Sequence, residues 1–409
     1  MIGAGYTGLS TALALREAGI DVVLLERDHA GAGASGRNSG HLSTTVGSPA
    51  KALVRSFGEA GARTLFHFSD EAVAYTEQRM RALGIDADYV PNGNLAAAVH
   101  PSHDAKLEAE AQARRTLGAR VAFLSGGEMR ERAIPDAFRC GMLHEPGGVL
   151  DPGKYVRGLY DAALQTSVRV FEGTSVERIE DGTPARVVTP RGVVTADAVV
   201  LATNAFTPSL GRLARTVIPL RVCCVETEPL SLDERNAIGW KGCEGISTAH
   251  LMPETYRWTP RGGVAAGTRT VRYAWNSALS TNGDAAQIAV LERALRSRLP
   301  LLASKRIAAR WGGWVAMTTD TLPVIGTTGT DRNIFHALGY SGHGIAQATF
   351  LGKMLAARVQ GVRDELAAPF ERKAWRWPIE PLRWIGATAV LAALRRLDAR
   401  TDRRIAALK

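Results

Sequence analysis

The first 26 residues constrain the fold most, and they read MIGAGYTGLSTALALREAGIDVVLLE. Gly3, Gly5 and Gly8 form a turn that opens a helix. Apolar Leu9, Ala12, Leu13 and Leu15 carry that helix to a stop at Gly19. An apolar strand over 22–25 follows and ends in Glu26. In such a unit one glycine makes the tight turn, one lets backbone approach a pyrophosphate, and one lets helix pack on strand. The helix N-terminus presents N–H groups and a favourable dipole to phosphates, and the acid accepts hydrogen bonds from ribose hydroxyls. The pattern predicts a dinucleotide site on Gly3, Gly5, Gly8 and Glu26. Only Met1 and Ile2 precede the first glycine, whereas a strand usually has about 5 residues. A mis-set start is expected, with an apolar strand restored upstream. A chain that begins at Met1 is expected to hold its ligand weakly.

At 409 residues the chain is long enough for two domains. Its net charge of +10 suits an anionic partner or a solvated arginine-rich surface. No basic stretch is interleaved with aromatics as a nucleic-acid groove requires, so nucleic acid is not expected. Cys140, Cys223, Cys224 and Cys243 make no C-x-x-C pair. Reduced thiols, a cytoplasmic setting and no metal site are expected. No signal peptide precedes the glycine turn.

After Glu26 and Arg27 the stretch 31–41 is rich in Gly, Ser and Ala and reads as a loop close to a ligand. Residues 51–83 are amphipathic and helical, and strands near Tyr89 and over 95–99 flank an Asn92-Gly93 turn. A helix is expected over 105–117. Nucleotide-domain patterning returns near 150, with a helix over 154–164, a strand over 168–171 and a buried strand that ends at Thr203 and Asn204. Residues 217–320 alternate in short runs, with one helix over 285–299. A second strand–glycine turn–helix unit spans Gly339, Ser341, Gly342, His343 and Gly344, with its helix over 345–359. The fold class is α/β. A Rossmann-like dinucleotide-binding domain is split into 1–45, 147–216 and 321–365. An α+β substrate domain is formed by 46–146 and 217–320. The end, 366–409, reads as an amphipathic basic tail with a helix over 385–397, too short and polar to span a bilayer but able to lie on one.

MIGAGYTGLS…LLE, GASGRNSGHL, VVLATNAFT, TTDTLPVIG and GYSGHGIA occur in this order. Together they resemble the FAD-dependent D-amino-acid oxidase (DAO) superfamily, with its glycine and sarcosine oxidases. The loop, the turn and the Pro-Leu-Arg-Trp-Ile-Gly of the tail are most like the gamma-glutamylputrescine oxidase-like branch. The resemblance implies FAD and the oxidation of an amine or amino-acid C–N bond by hydride transfer to flavin. The product imine hydrolyses, and oxygen reoxidises the flavin. Two alternatives stay open: a dehydrogenase that passes electrons to a membrane quinone or carrier, and a non-catalytic flavin-binding or assembly subunit.

By the same resemblance Gly3, Gly5, Gly8, Glu26 and Arg27 hold the ADP half. Ser35, Gly36, Arg37, Asn38 and Ser39 lie along the pyrophosphate and ribityl chain. Gly40, His41 and Leu42 reach the ring, and Val176 reaches the adenine. Thr203, Asn204 and Gly313 line the cofactor. Gly339, Ser341, Gly342, His343, Gly344 and Ile345 bring a helix N-terminus to the flavin. Residues 311–318 hold no cysteine, so FAD is expected to be non-covalent. Ala346 stands where sarcosine oxidases carry a carboxylate-binding lysine. Arg269 is the nearest cation to a second family lysine linked to oxygen activation. His41, Arg269 and Tyr340 are the catalytic candidates, and Tyr256 and Arg257 the substrate-binding ones.

Overall fold

The glycine turn and its helix form as their spacing requires. In the computed structural model, which describes residues 1–407, helix Tyr6–Glu17 starts from Gly5. A Cβ on Gly8 would lie 1.9 Å from the carbonyl oxygen of Gly3, so only glycine lets the helix close on the turn. Ser10 meets Gly352 of the second glycine-turn helix, Gly344–Val359, and donates to the Thr349 carbonyl at 2.7 Å, while Leu9 and Leu13 are fully buried in the core. Each such burial contributes about 1.5–3 kcal/mol.

The strand before the turn is reduced to Ile2, which bridges in parallel to Leu25 and to Leu201. Strand Val23–Leu25 pairs in parallel with Arg169–Phe171. Val199–Leu201 pairs in parallel with Ile334–Leu338, and Val324–Thr328 closes the edge antiparallel. The first glycine turn, the end of Val199–Leu201 and the second glycine turn therefore meet at one carboxyl edge, where open α/β sheets bind ligands.

A second sheet has nine strands drawn from two chain stretches. Asn94–Ala97, Gly141–His144 and Val121–Leu124 come from the first. Ile218–Thr227, Gly245–Thr248, Glu254–Trp258, Val264–Thr268, Arg272–Tyr273 and Ile307–Met317 come from the second. The two groups join where Asn94–Ala97 runs parallel to Gly245–Thr248.

Several elements differ from the sequence reading. Helix Ala50–Ala82 is interrupted at Gly58, whose φ of 70° leaves the helical region. Asn92-Gly93 does not close a hairpin, because Val90 bridges Val149 instead. The last part is not all tail. The turn Glu365–Phe370 buries Phe370 against Phe68, with ring centroids 4.4 Å apart. The final helix is longer than 385–397 and spans Leu382–Ala406. The stretch reads as an amphipathic basic tail, yet its Asp398 and Asp402, one turn apart, face the body and hold it there.

Candidate active site

Side chains alternate across a strand, so each strand of the large sheet has one residue set per face. Leu95, Leu143, Val225, Ile246, Tyr256, Val264 and Ala266 lie on one face and form a hydrophobic core. The opposite face carries Asn94 beside Gly245 and His144, Thr255 beside Ser247 and Gly267, and Arg257 beside Ala265. That face meets the loop rich in Gly and Ser. A Cβ on Gly267 would lie 3.4 Å from Ser39 Cβ. Arg257 Nε donates to the Ser39 carbonyl at 2.7 Å.

His41 sits at this junction, and its neighbours fix its proton. Asn94 Nδ2 donates to the carbonyls of Leu42 (2.7 Å) and Gly148 (3.1 Å). Asn94 Oδ1 is then the acceptor that faces His41 Nδ1 at 3.0 Å. Nδ1 must carry the hydrogen, which leaves Nε2 with a lone pair. Nε2 is closed off from solvent and has no partner among the described residues. Burial pushes the His41 pKa down to about 4 against the pull of Asn94, and the Arg257 charge adds to the lowering. At neutral pH the ring is a neutral acceptor. A Cβ on Gly245 would lie 2.2 Å from Asn94 Oδ1 and 2.6 Å from His41 Nδ1, so the pair exists only because that position is glycine.

Arg257 is buried, and no carboxylate of the described residues pairs with it. Its donors go to the carbonyls of Ser39 and Trp258. Burial lowers its pKa, yet a guanidinium stays charged in proteins. The site thus holds a fixed positive charge without a counter-ion.

Two candidates are placed elsewhere. Tyr256 cannot share a face with Arg257, because they are consecutive on one strand. Tyr256 is in the core and donates its hydroxyl to Glu254 at 2.8 Å. Arg269 turns away from the loop and pairs with Glu254 (3.1 Å), Asp398 (3.5 Å) and Asp402. His250, Glu254 and Asp402 converge, but Arg269 and Arg298 already engage both carboxylates.

Around the first turn, Glu26 accepts from the backbone N–H of Ala4 (2.8 Å) and of Asp28 (3.0 Å), which holds its carboxylate beside the glycines. Ser35 Oγ accepts from Tyr6 N at 2.9 Å, close to Gly5. Gly36 packs on Gly31, and Asn38 ties Ser35 to Gly40. Arg37 is exposed, with Nε donating to Ala32 and with Gly313 against its Cβ. Arg27 stacks on Phe206, 4.6 Å from the ring centroid. Val176 packs with Ile2 and Leu25 next to Glu26. Thr203 borders Gly3.

At the second turn, Asn204 Oδ1 accepts from Gly339 N at 3.0 Å, which joins the strand end to the turn. Tyr340 shares a hydrogen bond with Thr7 at 2.6 Å and so links the two glycine turns rather than facing the large sheet. Ser341 is buried, Gly342 is open at a φ of 95°, and Ile345 is in the core. His343 packs near Gly47 and Thr321, and burial lowers its pKa to about 4, with Arg114 adding to the effect. Leu42 contributes backbone only, since its side chain is fully buried.

Sequence reading missed Asn94, His144, Thr255 and Gln347. His144 Nδ1 meets Thr44 Oγ1 at 3.1 Å, and burial lowers its pKa to about 3. Gln347 donates to the Thr45 carbonyl at 3.0 Å and leaves its Oε1 without a partner, as does Thr255 its Oγ1. Alternation along the strand would have paired Thr255 with Arg257, but only long-range register shows which face meets the loop.

These features fit a bound flavin dinucleotide. Both glycine-turn helices start without a side-chain cap and without an acid in the first turn. Their N-terminal N–H groups and dipoles remain for anionic groups. Orphaned polar atoms at His41, Thr255 and Gln347 flank the loop between the glycine turns and the large sheet.

Comparison with known proteins agrees. The DAO model, for FAD dependent oxidoreductases, matches residues 1–358. The chain is 32% identical over 381 residues to gamma-glutamylputrescine oxidoreductase of Escherichia coli, covering 90% of this chain and 84% of that one. Glycine oxidase from Geobacillus kaustophilus superposes with a TM-score of 0.77 at 21% identity, over 90% of this chain and 96% of that one. L-proline dehydrogenase from P. horikoshii gives 0.74 at 19% identity, over 89% and 93%. The glycine turns, the acid that follows the first of them and the matched family together make this chain a member of the DAO family of FAD-dependent oxidoreductases.

Proposed function

We propose that the chain oxidises the C–N bond of an amine or amino acid, with His41 and Arg257 on the substrate side of the site. The observation that carries this reading is the unpartnered lone pair of His41 Nε2. A buried acceptor without a donor costs about 1–3 kcal/mol, and an amine N–H supplies that donor. With a pKa of about 4, His41 is too weak a base to keep a proton at neutral pH. It orients the amine nitrogen rather than deprotonating it. Arg257 offers fixed positive charge to a carboxylate or to negative charge that develops in the site. FAD, when bound, supplies the two-electron acceptor for the hydrogen on the carbon beside nitrogen. Gly3, Gly5, Gly8, Glu26 and the turn Gly339–Gly344 would hold it without a covalent link. Oxygen is the proposed final acceptor.

The test is anaerobic mixing of the purified yellow protein with a panel of amines. The panel holds diamines, gamma-glutamylated diamines, glycine, N-methyl amino acids and D-amino acids. At least one is expected to bleach the flavin band, and readmitted oxygen to restore it. Persistent colour with every member contradicts the reading.

A further inference from the structure

The helix Leu382–Ala406 lies on the body by one face only. Arg383 and Asp398 are buried, and Ala387 and Leu391 pack on Ile218, Leu220 and Tyr273. Both acids of the helix turn inward. Asp398 accepts from the backbone N–H of Leu251 (3.0 Å) and Met252 (2.9 Å), and Asp402 pairs with Arg298 at 2.9 Å and with Arg269. Burial alone would raise the Asp402 pKa. The hydrogen bond to His250 and the charges of Arg269, His250 and Arg298 overcome that and hold it well below the usual carboxylate range.

With the acids engaged, the charged side chains on the outward arc are all arginines: Arg396, Arg400, Arg403 and Arg404. Residues spaced three and four apart share one helix face. On that arc the first four turns present Leu382 (63% exposed), Ile385 (54%), Val390 (58%) and Leu397. An ordinary surface helix buries its apolar stripe; this one has a second stripe left in solvent. Trp375, 80% exposed, lies just ahead of the helix, and Trp384 stacks edge-on with Trp275 at its side. Contiguous exposed apolar surface marks an interaction site. Apolar turns, arginine turns and flanking tryptophans are the pattern of a helix that lies in a membrane interface. No helix of the described residues is long and apolar enough to cross a membrane.

We propose that this outward face docks on an anionic phospholipid bilayer. The helix lies in the headgroup plane, its apolar turns in the acyl boundary and its arginines on lipid phosphates. The arginine-only arc supplies the charge complementarity. This inference stands apart from the redox reading, since the docked face shares no residue with the flavin site.

The test is co-sedimentation of the full chain with vesicles of equal parts phosphatidylcholine and phosphatidylglycerol, against phosphatidylcholine alone. Binding to the anionic vesicles is expected, with loss on raising salt. Arg396→Ala/Arg400→Ala is expected to weaken it by about fivefold per arginine. Ile385→Asp/Val390→Asp is expected to abolish it with flavin content and melting temperature unchanged, because both side chains are already in water. No binding to anionic vesicles at low salt overturns the proposal, and so does equal binding by the arginine variant. If light scattering shows a dimer that Ile385→Asp/Val390→Asp dissociates while vesicles are ignored, the occupant is a second copy and the proposal falls.

Discussion

Arg257 is buried on one strand of the large sheet and Arg269 just past the end of the neighbouring strand Val264–Thr268, and they have opposite surroundings. Arg269 has three carboxylates, from Glu254, Asp398 and Asp402. Arg257 has two backbone carbonyls and no counter-ion among the described residues. The Arg269 cluster is satisfied from within and ties the final helix to the body. The Arg257 face is left incomplete, with His41 Nε2 and Thr255 Oγ1 lacking partners. The difference separates scaffold from site. The Arg269 charges are completed internally, whereas Arg257, His41 and Thr255 are left for a ligand to complete.

Arg269→Met breaks the satisfied side. It leaves Asp398 without a cation in the interior and Glu254 with Arg298 alone, which costs about 3–5 kcal/mol of stability in urea unfolding. Flavin reduction by the best amine stays near wild type. Arg257→Met breaks the other side. Unfolding changes little, while amine-driven flavin reduction slows about 10²–10³-fold, the usual cost of removing one group that stabilises developing charge. His41→Phe keeps the packing but removes the acceptor. A tenfold to hundredfold loss, about 1.4–2.7 kcal/mol, is expected in the same assay. Asn94→Ala is expected to fall on the same scale, since it frees the His41 tautomer.

The last effect is on pH, small near neutrality and growing with acid. His41, His144 and His343 have folded pKa values of about 4, 3 and 4. Unfolded histidine titrates near 6.5, so the unfolded chain takes up protons that the folded site refuses. Stability therefore falls as pH drops from about 6.5 toward 4, by up to about 1.4 kcal/mol per pH unit for each ring. Asp402 has the same sign but a lower window. Its depressed pKa stabilises the fold above the ordinary carboxylate value, and that share is lost only in strong acid. Acid titration followed by unfolding should weaken the flavin face first and release the final helix last.

Local pattern made the dinucleotide unit legible. Gly3, Gly5, Gly8 and Glu26 lie within one strand–helix–strand unit, and their spacing carries its own geometry. The second glycine turn and the helix after it were legible for the same reason. The sheet face was not. Alternation puts Tyr256 and Arg257 on opposite faces, and choosing between them needs the approach of Ser39 to Gly267, across more than two hundred residues. Arg269 was misplaced because its partners, Asp398 and Asp402, lie 129 and 133 residues further on. Asn94 stands 53 residues from His41, and nothing local marks it as that ring's partner.

The most direct measurement sets Arg257→Met beside Arg269→Met in one stopped-flow anaerobic reduction by the best amine, with a urea melt of each protein. The contrast between the two arginines predicts that Arg257→Met keeps its flavin and its melt but reduces at least about a hundredfold more slowly. It predicts that Arg269→Met melts early and reduces at nearly the wild-type rate. Slow reduction by Arg269→Met with normal reduction by Arg257→Met would contradict it.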